Sequence, residues 1–215
     1  MFAGEVEKEA CSPQPIDPRA FNVRAYLPYG VRLENVRQAM VDFVDFLGFL
    51  NTQLHERGLP RLESFLMPAN FSSIVGEFMV MRLAEHCPTL VKNHYPNGHP
   101  DLLPRDVFPD NAAQYAHEGI EVKASRRRGG WQGHNPENVW LMVFHFEANA
   151  ARDAGRGVAP MPFRFRAVYL AHLERTDWNF SGRAATSRRT ITASVNRHGM
   201  EKLRANWLYR ALDKR

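Results

Sequence analysis

Two charged side chains lie side by side on one predicted β-strand. Residues 119–125, GIEVKAS, alternate apolar and polar side chains, so Glu121 and Lys123 share one face of the strand. Such a charged pair on a strand that otherwise looks internal is costly unless it is paired or functional. Asp101 follows Pro100, 20 residues before Glu121, in a turn on or near a strand that could pair with this one. We therefore expect Asp101 and Glu121 to form a carboxylate pair beside the Lys123 ammonium group.

A carboxylate pair beside a lysine suits metal-dependent hydrolysis of a phosphodiester. That reaction needs a divalent cation to neutralise charge on the scissile phosphate and to lower the pKa of the attacking water. Magnesium prefers oxygen ligands and keeps several waters, so two or three carboxylates are enough to hold it. Asp106 and Asp110 are rival carboxylates, but each lies in a proline-rich turn, where Asp commonly closes the turn. An exposed salt bridge is the alternative explanation for Glu121 and Lys123.

The order Pro100-Asp101, then Glu121-Val122-Lys123, resembles the signature of the PD-(D/E)XK nucleases, the restriction-endonuclease-like superfamily. The resemblance covers residues 70–146 and implies an α/β restriction-endonuclease-like core, a central mixed β-sheet flanked by α-helices. It implies that Asp101, Glu121 and the main-chain carbonyl of Val122 hold Mg²⁺, for which Mn²⁺ would substitute. Lys123 would orient or deprotonate the attacking water. A further acidic residue is implied on the preceding helix, where Glu77 matches the place and is expected to face inward.

The pattern of apolar residues predicts the elements that would position this motif. An amphipathic helix is expected over residues 33–57, and a second over 70–87 with Asn70 as its N-cap. Strands are expected over residues 91–95, 99–103, 119–125, 139–146, 162–173 and 188–195, with turns over 104–118 and a closing helix over 198–212. Residues 1–30 are expected to form an extended arm. Without a repeat or a clear linker, residues 1–215 are expected to form a single domain with a catalytic core over 70–146.

The basic residues are concentrated in the last third of the chain. Residues 151–215 hold 14 Lys/Arg against 5 Asp/Glu, a net charge of +9, whereas residues 1–150 hold 14 against 18, a net charge of −4. Arginine presents a planar donor fork that suits phosphates and the guanine edge, so this part is expected to contact DNA. A solvated basic surface is the alternative. The candidate DNA contacts are Arg126, Arg127, Arg128, Gln132, His134, Asn135, Arg164, Arg166, Arg188, Arg189 and Arg197.

Several classes of protein are disfavoured by what the sequence lacks. No run approaches the 18 apolar residues of a membrane span, and the first residues are acidic where a signal peptide would be basic and then apolar. Cys11 and Cys87 are too few for a disulfide framework, so a cytoplasmic location is expected. No Walker loop, dinucleotide fingerprint or nucleophile elbow is present. The scattered histidines, His99 among them, lack zinc-site spacing and are interpreted mostly as ordinary polar residues.

These expectations together predict a Mg²⁺-dependent nuclease of double-stranded DNA, and in particular a Type II restriction endonuclease. A chain with one active site cuts one strand, so cleavage of both strands at a palindrome requires a homodimer. A repair or junction-resolving nuclease would use the same core, and a non-catalytic DNA-binding module would share the basic region. An RNA-cutting enzyme ranks last, because no stacked aromatic platform is evident.

Overall fold

Four α-helices precede the first strand in the computed structural model, which describes residues 2–133, 137–181 and 192–212. The helices are α1 (Phe2–Ala10), α2 (Leu33–Glu56), α3 (Leu62–Phe65), α4 (Pro68–His86), α5 (Ala151–Ala154) and α6 (Arg197–Ala205). The strands are β1 (Leu90–Lys92), β2 (Leu102–Pro104), β3 (Ile120–Ser125), β4 (Gln132–Gly133), β5 (Val139–Glu147), β6 (Arg164–Leu173), β7 (Trp178–Ser181), β8 (Thr192–Val195) and β9 (Trp207–Arg210). None of the described helices combines the length and apolarity that crossing a membrane requires.

The strands form a six-stranded mixed sheet with the order β1-β2-β3-β5-β6-β9 and a small sheet with the order β4-β8-β7. In the large sheet β3 and β5 are parallel, and the other neighbours are antiparallel. Helices α2 and α4 pack on one face, and α6 packs with the small sheet on the other. The expected α/β architecture, a mixed central sheet flanked by helices, is therefore confirmed.

The alternation of side chains along β5 separates two apolar layers. Met142 and Phe144 are fully buried in the layer shared with α2 and α4, whereas Leu141 and Val143 are fully buried in the layer shared with α6 and the small sheet. Burial of each such side chain contributes roughly 1.5–3 kcal/mol. Val122 of β3 belongs to the first layer. Glu121 and Lys123, which alternate with it, therefore project from the face that α6 covers.

The first thirty residues do not form the expected extended arm throughout. Helix α1 covers Phe2–Ala10, and its Glu7 accepts a hydrogen bond of 2.8 Å from the buried Arg61. That pairing is a contact between distant parts of the chain, which the local proline content could not reveal. The predicted helix over 33–57 is confirmed. The second helix begins at Pro68 rather than at Asn70, because proline is favoured in the first turn of a helix.

The predicted closing helix is wrong in its second half. Helix α6 ends at Ala205, and Trp207–Arg210 form β9, which pairs with β6 at the edge of the sheet. Trp207 and Tyr209 are aromatic and favour a strand where a partner edge exists. Strands β3, β5 and β6 match the predicted ranges 119–125, 139–146 and 162–173 to within one or two residues. Of the predicted strand 188–195, Thr192–Val195 is observed, and residues 188–191 lie outside the described residues.

Candidate active site

The turn that carries Asp101 is held by the buried side chain of Asn93. Asn93 donates hydrogen bonds from Nδ2 to the carbonyls of Pro100 at 3.0 Å and Ala113 at 2.8 Å. Its main-chain N–H donates to the carbonyl of Asp101 at 2.9 Å. These bonds satisfy the polar groups of the turn internally and fix Asp101 immediately before β2.

Strands β2 and β3 separate next to Asp101, and the Asp101 side chain fills the gap. The two strands share one paired position, Leu102 with Ile120. Gly119 has φ of 128°, and a Cβ there would lie 2.2 Å from the Leu102 carbonyl oxygen, so only glycine allows this approach. Beyond it, the Asp101 Oδ2 accepts a hydrogen bond of 2.8 Å from the Val122 N–H. Since a strand residue's N–H and C=O point to the same edge, the Val122 carbonyl also points toward Asp101.

Asp101, Glu121 and Lys123 come together as the sequence predicted. The carboxyl groups of Asp101 and Glu121 lie close enough for the charge of Glu121 to raise the pKa of Asp101, and the Lys123 Nζ donates to the Glu121 Oε1. The Glu121 side chain is 9% exposed and that of Lys123 is 30% exposed. A cavity of about 210 Å³ between α4 and β3 is lined by both Asp101 and Lys123. The cavity therefore gives a ligand access to Asp101 and Lys123, the two members of the cluster that line it.

His99 and Glu137 extend the cluster, and sequence reasoning missed both. The His99 Nδ1 lies 2.9 Å from the Glu121 Oε2. The His99 Nε2 lies 2.8 Å from the Glu137 Oε2, as an ion pair without hydrogen-bond alignment. The available signals were weak: His99 lies two residues before Asp101, and Glu137 two residues before β5. The parallel pairing of β3 with β5 brings Glu137 to the end of the sheet where Glu121 lies.

The charges around the cluster shift the pKa values of the two central carboxyl groups in opposite directions. Burial and the neighbouring Glu121 charge raise the pKa of Asp101 to about 7. Burial also acts to raise the pKa of Glu121, but His99 and Lys123 outweigh it and lower the pKa to about 2. Burial acts to lower the pKa of His99, and its two carboxylate partners instead raise it to about 9. Glu121 is therefore ionised between two cations. The repulsion between the two neighbouring carboxylates instead appears as the raised pKa of Asp101.

The donor set fits a hard cation such as Mg²⁺ better than zinc. Among the described residues, no three His, Cys, Asp or Glu side chains form a ready-made metal site. Two carboxylates and a main-chain carbonyl suit Mg²⁺, which keeps several of its waters. Glu121 uses one lone pair on each oxygen for Lys123 and His99, and a carboxylate offers about four lone-pair sites. The repulsion between Asp101 and Glu121 is the charge imbalance that a cation would relieve.

Glu77 lies at the margin of this site, and the prediction that it faces inward is wrong. Its side chain is 68% exposed and forms an ion pair of 2.8 Å with Lys92. Helix α4 turns Val75 and Met79 toward the core, which places Glu77 on the outer side of the helix. Glu77 still lines the cavity that reaches Asp101. Of the rival carboxylates, Asp106 and Asp110 are exposed turn residues with positive φ of 61° and 53°.

The candidate DNA contacts differ widely in their surroundings. Arg126 turns inward: it donates to the Ala148 carbonyl at 2.9 Å, and its guanidinium lies 5.5 Å from the centre of the Phe71 ring. Arg164 forms an ion pair of 2.6 Å with Glu147. The exposed candidates among the described residues are Arg127, Arg128, Gln132 and Arg197. His134, Asn135, Arg188 and Arg189 lie outside the described residues.

Comparisons with known proteins found no family model, no curated protein and no solved structure that matches this chain. The function must therefore be argued from the cluster around Asp101 and Glu121 and from the charges near it.

Proposed function

We propose that this chain is a Mg²⁺-dependent endonuclease that hydrolyses phosphodiester bonds in double-stranded DNA, with a restriction-endonuclease-like core. The observation that carries the proposal is the hydrogen bond that holds the Asp101 carboxyl group on Val122, between Glu121 and the Lys123 that binds Glu121. These residues come from a turn and a strand 20 residues apart. Their convergence was expected from the chemistry of a metal-dependent hydrolase.

A purely structural salt bridge explains the cluster less well. Replacing a buried ion pair by apolar residues of similar size is often neutral or stabilising, so packing alone does not favour such a group. Here Glu121 and Glu137 both pair with His99, Glu121 also pairs with Lys123, and the charge of Asp101 acts on Lys123 as well. The cavity beside them is open to a ligand. Perturbed carboxyl groups that converge on a cavity are typical of active sites.

Each residue would have a distinct task in the proposed reaction. Asp101, Glu121 and the Val122 carbonyl would hold Mg²⁺, which when bound neutralises charge on the scissile phosphate and lowers the pKa of an attacking water. The hydrogen bond from the Val122 N–H orients Asp101. Lys123 holds a positive charge beside Glu121, where it can contact a phosphate oxygen or the water. His99 fixes the second oxygen of Glu121.

Within this class we favour a sequence-specific Type II restriction endonuclease that acts as a homodimer. One cluster of this kind cuts one strand, and two-fold symmetry allows two chains to cut both strands of a palindrome. A structure-specific nuclease would share the site and differ in its substrate. A DNA-binding module without activity would not need the cluster at all.

Incubation with supercoiled plasmid and Mg²⁺, with an EDTA control, tests the proposal. The expected result is cleavage that EDTA abolishes, with discrete fragments that indicate a recognised sequence. Cutting of branched duplexes while linear plasmid is spared would instead indicate a junction-resolving enzyme. Absence of Mg²⁺- and Mn²⁺-dependent cleavage on both substrates would contradict the nuclease assignment.

A further inference from the structure

A second cavity on this chain is lined by arginine. It has a volume of about 270 Å³ and is lined by Arg128, His145, Arg166, Ala167, Tyr169, Arg204, Arg210 and Ala211. We name this cavity the arginine cleft. Its lining includes four guanidinium groups and no carboxylate among the described residues. Cations gathered in one cleft repel one another, and a bound anion would relieve that repulsion.

The arginine cleft lies on the same face of the large sheet as Glu121 and Lys123. Strand pairing aligns Ser125 with His145, His145 with Ala167, and Ala167 with Arg210. Ser125 follows Lys123 by two residues on β3, so its side chain projects from the same face. At a spacing of roughly 4.8 Å between strands, β6 and β9 lie roughly 10 and 14 Å from β3. The cleft therefore lies across β5 from the side chains of Glu121 and Lys123, on the same face of the sheet.

Two of the arginines, Arg128 and Arg204, are exposed to a ligand, and the guanidinium group of a third, Arg210, is held in place by its neighbours. Arg128 and Arg204 are exposed, and no carboxylate among the described residues forms an ion pair with either. Arg210 donates from Nη2 to the Arg204 carbonyl at 2.9 Å, and its guanidinium lies 4.9 Å from the centre of the Trp207 ring. Arg166 lies 3.6 Å from Glu147. The cleft thus combines a fixed guanidinium with two that solvent reaches.

The register of β6 explains how Arg166 reaches the cleft. The pairing with β5 shifts between His145 and Phe146, so that Phe146 faces Phe165 while His145 faces Ala167. Arg166 is the extra residue of this bulge, and bulges commonly re-aim a side chain near a functional site. Burial lowers the pKa of His145, and Arg128 and Arg166 act in the same direction. A neutral His145 adds a hydrogen-bonding group without adding charge.

We infer that the arginine cleft binds the phosphodiester backbone of the DNA strand that Lys123 contacts at the scissile position. The identity of the ligand rests on the proposed function. A DNA strand carries one charge for about every 3.4 Å of helix axis, so a cleft roughly 10–14 Å from β3 meets phosphates a few nucleotides from the cut. Contacts of this kind fix the position of the duplex without reading its bases. The cleft would orient the strand that the active site cuts.

The salt dependence of DNA binding tests this inference without any cleavage. Affinity for a fluorescent duplex is measured in EDTA by anisotropy over a range of KCl concentrations. The slope of log K against log[KCl] is expected to fall by about 0.9 for each phosphate that the protein no longer neutralises. The double variant Arg128→Gln/Arg204→Gln should therefore lower the slope by about 1.8 relative to the unmodified chain. Both side chains are exposed, so the fold should tolerate the change.

The matched control is Arg37→Gln/Arg57→Gln, which removes the same charge from α2 and from the residue that follows it, on the opposite face of the sheet. This control should leave the slope nearly unchanged. An equal slope in both double variants would overturn the inference.

The salt slope tests the cleft and plasmid cleavage tests the nuclease assignment, so the two proposals can be contradicted separately. If the chain cuts plasmid through Asp101 but the cleft variant keeps its slope, only the cleft inference is overturned. If the chain binds DNA with a slope that depends on Arg128 and Arg204 but never cuts it, the cleft stands as a backbone-binding site and the catalytic proposal is contradicted.

Discussion

Asp101 accepts a hydrogen bond of 2.8 Å from the main-chain N–H of Val122, the residue between Glu121 and Lys123. This bond replaces the strand pairing that β2 and β3 lack beyond Leu102 and Ile120. It ties a turn residue to the centre of the motif on β3 and keeps its carboxyl group near enough to Glu121 for the two charges to repel each other. The candidate site thus depends on one side chain that substitutes for backbone pairing.

Substitution of His99 is expected to weaken the site without removing a proposed metal ligand. His99 contacts Glu121 at 2.9 Å, and removal of a partner that orients a ligand typically costs 10–100-fold in metal affinity or activity. We expect His99→Ala to shift the Mg²⁺ concentration for half-maximal cleavage upward by roughly 10-fold or more. The control is His172→Gln, which is exposed on β6. An unchanged Mg²⁺ titration in His99→Ala would show that Glu121 needs no such support.

Glu77 is expected to contribute far less than the two central carboxylates. Its side chain is 68% exposed and paired with Lys92 at 2.8 Å. We expect Glu77→Gln to lower the cleavage rate several-fold at most, whereas Glu121→Gln should lower it by about 100-fold or more, since a catalytic metal contributes several kcal/mol. Initial rates at saturating Mg²⁺ provide the measurement. Equal reductions in the two variants would mean that Glu77 leaves Lys92 and joins the site when substrate binds.

Arg61 is expected to be essential for stability rather than for catalysis. Its side chain is 1% exposed and pairs with the fully buried Glu63 at 2.7 Å. Arg61→Met would leave a buried charge without its partner, and we expect the free energy of unfolding to fall by about 3–5 kcal/mol. Urea denaturation measures the change. The exposed Arg57→Met should change stability by about 0.5 kcal/mol or less, and a similarly small effect at Arg61 would contradict the assignment.

Asp177 gives the fold a stabilisation that depends on pH. Burial acts to raise the pKa of this carboxyl group, but hydrogen bonds from the Glu174 N–H, Lys202 and His198 lower it overall. A carboxylate with a lowered folded-state pKa stabilises the fold above its unfolded value, near 3.9, and this stabilisation is lost as pH falls through the folded-state pKa.

Asp177→Asn should therefore be less stable than the unmodified chain at neutral pH, by about 2 kcal/mol for the missing charged hydrogen bonds. The difference between the two proteins should shrink as pH falls below about 4. Urea denaturation at a series of pH values measures it. A difference that is constant or that grows toward acid pH would show that the carboxylate charge is not what stabilises this position.

The sequence was sufficient for the part of the site that follows local rules. Alternation along a strand placed Glu121 and Lys123 on one face, and the apolar run over 139–146 predicted the buried strand β5. Hydrophobic spacing gave the full length of α2. These features depend on periodicity within a single element, which the order of residues records directly.

The rest of the site and of the fold depends on contacts between distant segments, and the spacing of residues within one segment does not record such contacts. His99 reaches Glu121 because Asn93 folds the preceding turn, and Glu137 joins it because β5 lies parallel to β3. The strand at Trp207 exists because the edge of β6 offers hydrogen bonds there, although the local sequence also suits a helix. Tertiary pairing overrides local propensity in such places.

The central claim is that Asp101 and Glu121 share a catalytic cation, and Asp101→Asn tests it most directly. This variant keeps the shape of the side chain and an oxygen to accept the Val122 N–H, but removes the charge. Cleavage of plasmid with Mg²⁺ should fall by about 100-fold or more, while duplex affinity in EDTA stays within a few-fold. The matched control Asp106→Asn, at an exposed turn, should cut normally. Full Mg²⁺-dependent cleavage by Asp101→Asn would contradict the account.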